Sequence, residues 1–167
     1  MQEPIIRPAR EGDIPRVGEL LRQVNEVHHT IRSDLFKAGA RKYRDDELRV
    51  IFRDPETPVF VCEDGGAVVG YAFCVVQIHE NDNNLVDGKT LYLDDLCVDG
   101  AARGRGIGSA LYRFVLDYAK QIGCHNVTLN VWEGNDAARR FYENLGMKPK
   151  ETQMEYRLSP TGTEADA

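Results

Sequence analysis

Between Asp99 and Ser109 the chain reads Asp-Gly-Ala-Ala-Arg-Gly-Arg-Gly-Ile-Gly-Ser, with Gly104, Gly106 and Gly108 at alternate positions. Glycines so spaced let the backbone turn tightly and bring amide N–H groups close to a ligand. An amphipathic helix follows, and its N-terminal dipole adds to those amides, a combination suited to a phosphate. Arg103 and Arg105 bring positive charge to the same loop. Just upstream, Asp94 and Asp95 interrupt the apolar run Leu91-Tyr-Leu-Asp-Asp-Leu-Cys-Val98. Aspartate is disfavoured in strands, and an unpaired buried carboxylate is costly. The pair is therefore either a polar step at a sheet edge or a functional carboxylate. Strand alternation predicts that the two side chains point to opposite faces.

Two familiar phosphate loops do not fit. No Lys-Ser or Lys-Thr closes the run as a P-loop requires, and Ser109 stands where a dinucleotide fingerprint needs its third glycine. That fingerprint also belongs to the first turn of a βαβ unit, whereas about a hundred residues precede this loop.

The elements that must position these groups come from a chain of ordinary composition. It has 167 residues, 42% hydrophobic and 29% charged, with 15 glycines and 7 prolines, which predicts one globular domain and excludes collagen-like or disordered classes. A net charge of −6 lacks the basic footprint of a duplex nucleic-acid binder. No stretch approaches the ~20 apolar residues of a membrane helix, and Met1-Gln-Glu-Pro4 does not open a secretory signal. A soluble cytoplasmic protein, with no nucleic-acid or membrane partner, is the expectation. Cys62, Cys74, Cys97 and Cys124 stand singly, and His28-His29, His79 and His125 show no ligand spacing, so no metal is predicted. Cys62, Cys74 and Cys97 read as small buried hydrophobes.

Ile5-Ile6 predicts a strand ending at Pro8, followed by Asp13 as the N-cap of a helix over 14–29 with Val17, Leu20, Leu21, Val24 and Val27 inward. A second helix is predicted from Asp45 to Arg53, after an irregular stretch from His28 to Tyr43. Pro58–Cys62 and Ala67–Ile78 read as strands joined by an Asp64-Gly-Gly turn, with Gly70 marking a bulge or close backbone approach. A polar loop, His79–Lys89, precedes a strand over Thr90–Val98. Then follow a helix from Ile107 to about Ile122, stopped by Gly123, and a strand over His125–Trp132. A helix over Asp136–Leu145 and a last strand over Gln153–Leu158 complete the expectation. Residues 1–158 are read as one domain and 159–167 as a polar, disordered tail.

Three motifs in this order resemble the GNAT superfamily of acetyl-CoA-dependent N-acetyltransferases. Arg103-x-x-Gly106-x-Gly108 is similar to its Q/R-x-x-G-x-G/A loop. Asn135-Asp-Ala-Ala-Arg-Arg-Phe-Tyr-Glu-Asn-Leu-Gly-Met147 is similar to its N-x-x-A-x-x-F-Y-x-x-x-G-F/M segment. The strand Tyr92-Leu-Asp-Asp-Leu-x-Val98 is similar to the Y-L-E-D-L/F-F-V strand of the polyamine (diamine) acetyltransferase branch, with the shorter Asp in place of Glu. The resemblance runs from Ile5 to Leu158 and implies a single-domain α/β (α+β) fold. Its mixed, mostly antiparallel sheet would have six to seven strands, splay at the acetyl-CoA site, and carry about four helices on both faces.

The resemblance also implies roles. The loop Arg103, Gly104, Arg105, Gly106, Ile107, Gly108 and Ser109 would hold the coenzyme A pyrophosphate. Leu96, Cys97 and Val98 would pair with the pantetheine arm, and Asn135 and Ala138 would line it. Tyr142 would lie near the thioester sulfur as general acid, and Asp94 would be the base candidate. His28, Tyr92, Asp94 and Asn130 are the acceptor-side residues. The acceptor implied is a primary amine of a small cationic metabolite, with acetyl-CoA as co-substrate, no metal, and a homodimer carried over from the family. A protein Nα- or lysine-acetyltransferase, or a non-catalytic coenzyme A-binding regulator on the same fold, is the alternative. An alkylammonium ordinarily titrates near 10.4, so a carboxylate near 3.9 is too weak to deprotonate it unaided and needs a raised pKa or a water relay. Trp132 and Phe141 are expected in the core, and the loop Glu80–Asn84 with Asp87 is expected to be solvated.

Overall fold

The computed structural model describes residues 3–158, so the expected tail over 159–167 lies outside the described residues. One compact unit extends to Asn135 and a second begins at Asp136. The first contains β1 (Ile5–Pro8), α1 (Ile14–Ile31), α2 (Asp45–Ile51), β2 (Val59–Asp64), β3 (Ala67–His79), β4 (Gly88–Val98), α3 (Ile107–Gln121) and β5 (Asn126–Thr128). Strand order follows the chain, antiparallel from β1 to β4, with β5 parallel to β4. This is the mixed, mostly antiparallel sheet expected, with five strands among the described residues rather than six or seven.

Alternation along the strands divides the core. On one face Val61, Tyr71, Phe73 and Cys97 pack against Val17, Leu20 and Leu21 of α1 and Leu48 of α2. On the other, Phe60 meets Phe114 and Tyr118 of α3 edge-on, at ring separations of 4.9 and 5.0 Å. The expected inward stripe of α1 ends at Val24, because Val27 is 40% exposed. Asp13 precedes α1 as predicted but does not cap it with its side chain. Its carboxylate instead accepts from both terminal nitrogens of Arg7 (2.8 and 3.0 Å) and from the Arg10 N–H (2.7 Å), tying β1 to the helix entry.

The strand expected over His125–Trp132 is cut to Asn126–Thr128. Its ladder pairs these residues with Thr90–Tyr92 and goes no further, since a bulge diverts β4 at Asp94. In the second unit α4 spans Asp136–Asn144. The strand expected over Gln153–Leu158 is absent: no regular structure follows α4 among the described residues, and Met154, Tyr156 and Leu158 are 85%, 88% and 85% exposed. Alternating apolar residues make a strand only where a sheet edge and a core receive them.

Candidate functional site

The sheet is built to present carboxylates. Phe73 of β3 lies opposite Asp95, but the next residue, Cys74, lies opposite Leu93, so Asp94 is an extra residue in β4. Such a bulge breaks the alternation and re-aims a side chain. Asp95 accepts from the Tyr71 hydroxyl at 2.7 Å, and Asp94 accepts from the Tyr43 hydroxyl at 2.8 Å. Tyr43 stacks on Phe73 at 5.5 Å, and Tyr71 meets the same ring edge-on at 4.9 Å. The two carboxylates thus end on one aromatic cluster, on the α1–α2 face. The expectation of opposite faces is corrected, the bulge being the reason.

Their electrostatic settings differ. Burial pushes the Asp95 carboxyl up to about 6, against the opposing hydrogen bond from Tyr71. Asp94 instead holds a cation: Lys42 Nζ lies 2.8 and 2.7 Å from its two oxygens. Burial and the adjacent Asp94 raise the Tyr43 phenol, keeping it a proton donor. Tyr92 is half-buried on the same strand, and its hydroxyl receives the Asn130 side-chain N–H at 3.2 Å. That bond bridges β4 and the chain after β5, beyond the last backbone pair of the ladder, Tyr92 with Thr128.

A wall of rings stands beside this cluster. His28 packs against Phe36 at 5.0 Å, and Phe36 meets Trp132 edge-on at 5.3 Å. Burial and the charge of Lys42 lower the His28 pKa, so the imidazole is neutral at pH 7. Trp132, expected in the core, is 39% exposed with the Arg32 guanidinium 6.0 Å from its ring centroid. It is a rim residue because the shortened β5 carries the chain out of the sheet before reaching it.

The glycine loop starts at the end of β4. Asp99 pairs with Arg16 of α1, and Gln23 of α1 donates to Asp99 and accepts from the Gly100 N–H at 3.2 Å. Gly104 and Gly106 hold φ of +78° and +77°, conformations open to glycine, and a Cβ on either would meet nothing within 4 Å. The loop is thus open above its backbone, and Gly106 leads into α3, whose first amides lack intrahelical partners. Arg105 is drawn aside to Asp64 at 2.6 Å, and Arg103 turns back to the Val98 carbonyl at 3.4 Å. Neither side chain reaches over the loop as its charge had suggested; the amides of Ile107, Gly108 and Ser109 remain at the helix start.

Leu96, Cys97 and Val98 lie on β4 past the end of the β5 ladder. The Cys97 side chain faces the core, its Sγ 3.7 Å from the Leu20 carbonyl, and burial pushes its thiol up to about 12. Asn135 ends the first unit, its N–H bonded to the Trp132 carbonyl at 2.9 Å. Ala138 and Tyr142 lie on α4, where Tyr142 meets Phe141 edge-on at 5.0 Å. No residue of α4 is buried, so Phe141 is not the core residue expected. Lys42, Tyr43, Tyr71, Arg16 and Gln23 escaped the sequence reading. None carried a local signal, because each meets its partner across many positions of the chain.

No helix among the described residues is long and apolar enough to cross a membrane. The Acetyltransferase (GNAT) family model matches residues 24–147. Thialysine N-epsilon-acetyltransferase of Bos taurus is 29% identical over 153 residues, covering 85% of this chain and 82% of the relative. The solved tetramutant of the BH1408 protein from Bacillus halodurans superposes with a TM-score of 0.88 at 30% identity, over 92% of this chain and 99% of that one. The aminoglycoside N-acetyltransferase AAC(6′)-Iy in complex with CoA shares the fold, with a TM-score of 0.71 at 18% identity over 93% and 95% of the two chains. With five strands and four α-helices among the described residues and a family match across most of its length, the chain belongs to the GNAT family: it is an N-acetyltransferase, of a family whose acetyl donor is acetyl-CoA.

Proposed function

We propose that this acetyltransferase modifies a primary amine of a small cationic metabolite, a diamine, polyamine or amino-acid-like amine. Asp94 holds the acceptor ammonium and Tyr142 protonates the departing thiolate. One observation carries the reading: Asp94 already binds an alkylammonium, that of Lys42, through both oxygens, with the Tyr43 hydroxyl as a second partner. The bovine relative, named for the Nε-acetylation of thialysine, supports a small amine as acceptor. The strand motif supports the polyamine branch.

The residues present fit the donor. The loop amides from Arg103 to Ser109 form an open, anion-seeking start to α3, suited to a pyrophosphate. The strand edge at Leu96–Val98, past the last β4–β5 pair, offers backbone groups to an extended amide arm. Asn135 and Ala138 are assigned to that arm by their motif. Acetyl-CoA supplies a thioester whose carbonyl carbon accepts the amine. The amine must arrive deprotonated, and Asp95, held near 6 by burial, is better matched to taking that proton than an ordinary carboxylate. His28, Tyr92 and Asn130 shape the acceptor side.

A cytoplasmic homodimer, and a single domain over residues 1–158, belong to the same proposal; they rest on composition and on the family match running through both units. Thiol release from acetyl-CoA against polyamines, amino acids, aminoglycosides and short peptides tests it. Turnover is expected with small amines, and Tyr142→Phe should keep coenzyme A affinity while lowering kcat about 10²-fold or more. Turnover confined to peptides would replace the small-amine reading with a protein acetyltransferase. Coenzyme A binding indifferent to Tyr142 and without turnover would leave a binding module.

A further inference from the structure

Among the described residues, Lys42 is the one that puts a primary amine onto the carboxylate assigned to the acceptor. Its Nζ lies 2.7–2.8 Å from both Asp94 oxygens, and its side chain is 48% exposed. It sits in the irregular stretch between α1 and α2, where no ladder or helix fixes the backbone at 42. Tyr43, the next residue, stacks on Phe73 and bonds the same carboxylate, which anchors the stretch beside β4. Around it stand half-buried His28, which feels the charge of Lys42, and Tyr92. Half-exposed as it is, Lys42 is delivered by its own chain to the carboxylate where a substrate ammonium would have to sit.

We infer that Lys42 is an internal acceptor: with acetyl-CoA bound and no metabolite amine present, the enzyme acetylates its own Lys42. The inference rests on the reading of Asp94 as the ammonium-holding carboxylate. The Lys42 nitrogen attacks the thioester carbonyl, an N–C amide bond forms, and the C–S bond breaks. The nitrogen gives up two protons: one leaves by way of the carboxylate to solvent and one ends on the sulfur, so coenzyme A departs as the free thiol. Because nucleophile and site share one chain, the encounter needs no second molecule. The product is a neutral amide, so Asp94 loses its resident cation and its charge is freed for an incoming ammonium.

The test is incubation of the full chain with acetyl-CoA alone, followed by intact mass and peptide mapping. A single acetyl group at Lys42 is expected. It should appear at least about tenfold faster than at Lys120, which is 77% exposed on the outside of α3. Its first-order rate should not change with protein concentration, and Asp94→Asn should slow it about tenfold or more. Acetylation of Lys42 at the rate of Lys120, or a rate proportional to protein concentration, would overturn the inference. The same preparation is assayed for coenzyme A binding and for thiol release with the amine panel. Turnover of small amines with Lys42 left unmodified sinks the internal acceptor while the proposed function stands. Absence of coenzyme A binding sinks both.

Discussion

The Tyr71 hydroxyl donates to Asp95 at 2.7 Å from a ring with none of its surface exposed. It is the principal hydrogen bond offsetting the burial of that carboxylate, whose pKa nonetheless rises to about 6.

Asp95 should therefore cost stability at neutral pH. Its folded pKa of about 6 lies above the ~3.9 of an unfolded chain, so between those values the folded state holds the extra proton. Stability from this group falls as pH rises from 4 to 6, and the full cost, on the order of 3 kcal/mol, is present at pH 7. Asp95→Asn should be more stable than the native chain at pH 7 and equal to it near pH 4. Urea unfolding of both at pH 4, 5.5 and 7 measures the gap, and a gap independent of pH would contradict the assignment.

Tyr71→Phe keeps the ring but removes the donor. At pH 7 the charged carboxylate is left without that bond, and a loss of about 1–3 kcal/mol is expected. The loss should shrink at pH 5, where Asp95 is largely protonated in the folded state. Chemical denaturation at the two pH values reads this directly.

Arg7 and Asp13 form a second buried pair, with side chains 16% and 10% exposed. Burial pushes the Asp13 carboxyl up, but the bonds from Arg7 and the Arg10 N–H outweigh it and hold it below the usual value. Asp13→Ala leaves Arg7 with one carboxylate partner among the described residues, Glu63 at 2.8 Å, and should cost about 3 kcal/mol at pH 7. The contribution is present above the ordinary carboxylate pKa and is lost as pH falls through the lower folded value. The difference between variant and native melting temperatures should narrow toward pH 2.

Gly70 sets the spacing between β3 and β4 beside the glycine loop. A Cβ there would lie 2.8 Å from the Cys97 carbonyl oxygen and 3.1 Å from Leu111 Cδ1. Backbone must move, so Gly70→Ala should destabilise by about 1–3 kcal/mol. It should also weaken coenzyme A binding, because the strand pushed aside is the one assigned to the pantetheine arm. Gly12→Ala, where a Cβ meets nothing within 4 Å, is the control and should change neither calorimetric affinity nor melting.

Much of this was legible in local pattern. The inward spacing of Val17, Leu20 and Leu21 produced α1, the alternation from Ala67 onward produced β3, and the Arg103–Ser109 run placed an open loop at the start of α3. These features depend on neighbours within a few residues, so the sequence determined them by itself. The family, too, was readable from the order of three short motifs. What joins distant residues was not. The bulge at Asp94 exists only as a mismatch of register between Phe73–Cys74 and Leu93–Asp95, and single-strand alternation cannot contain it. Lys42 and Asp94 meet across 52 positions, Tyr71 and Asp95 across 24, and Arg16 and Asp99 across 83. Where β5 stops was likewise decided by whether β4 still offered a partner. Side-chain types and periods are written along the chain, but burial, charge pairing and pKa depend on what folding brings alongside, and that belongs to the tertiary structure.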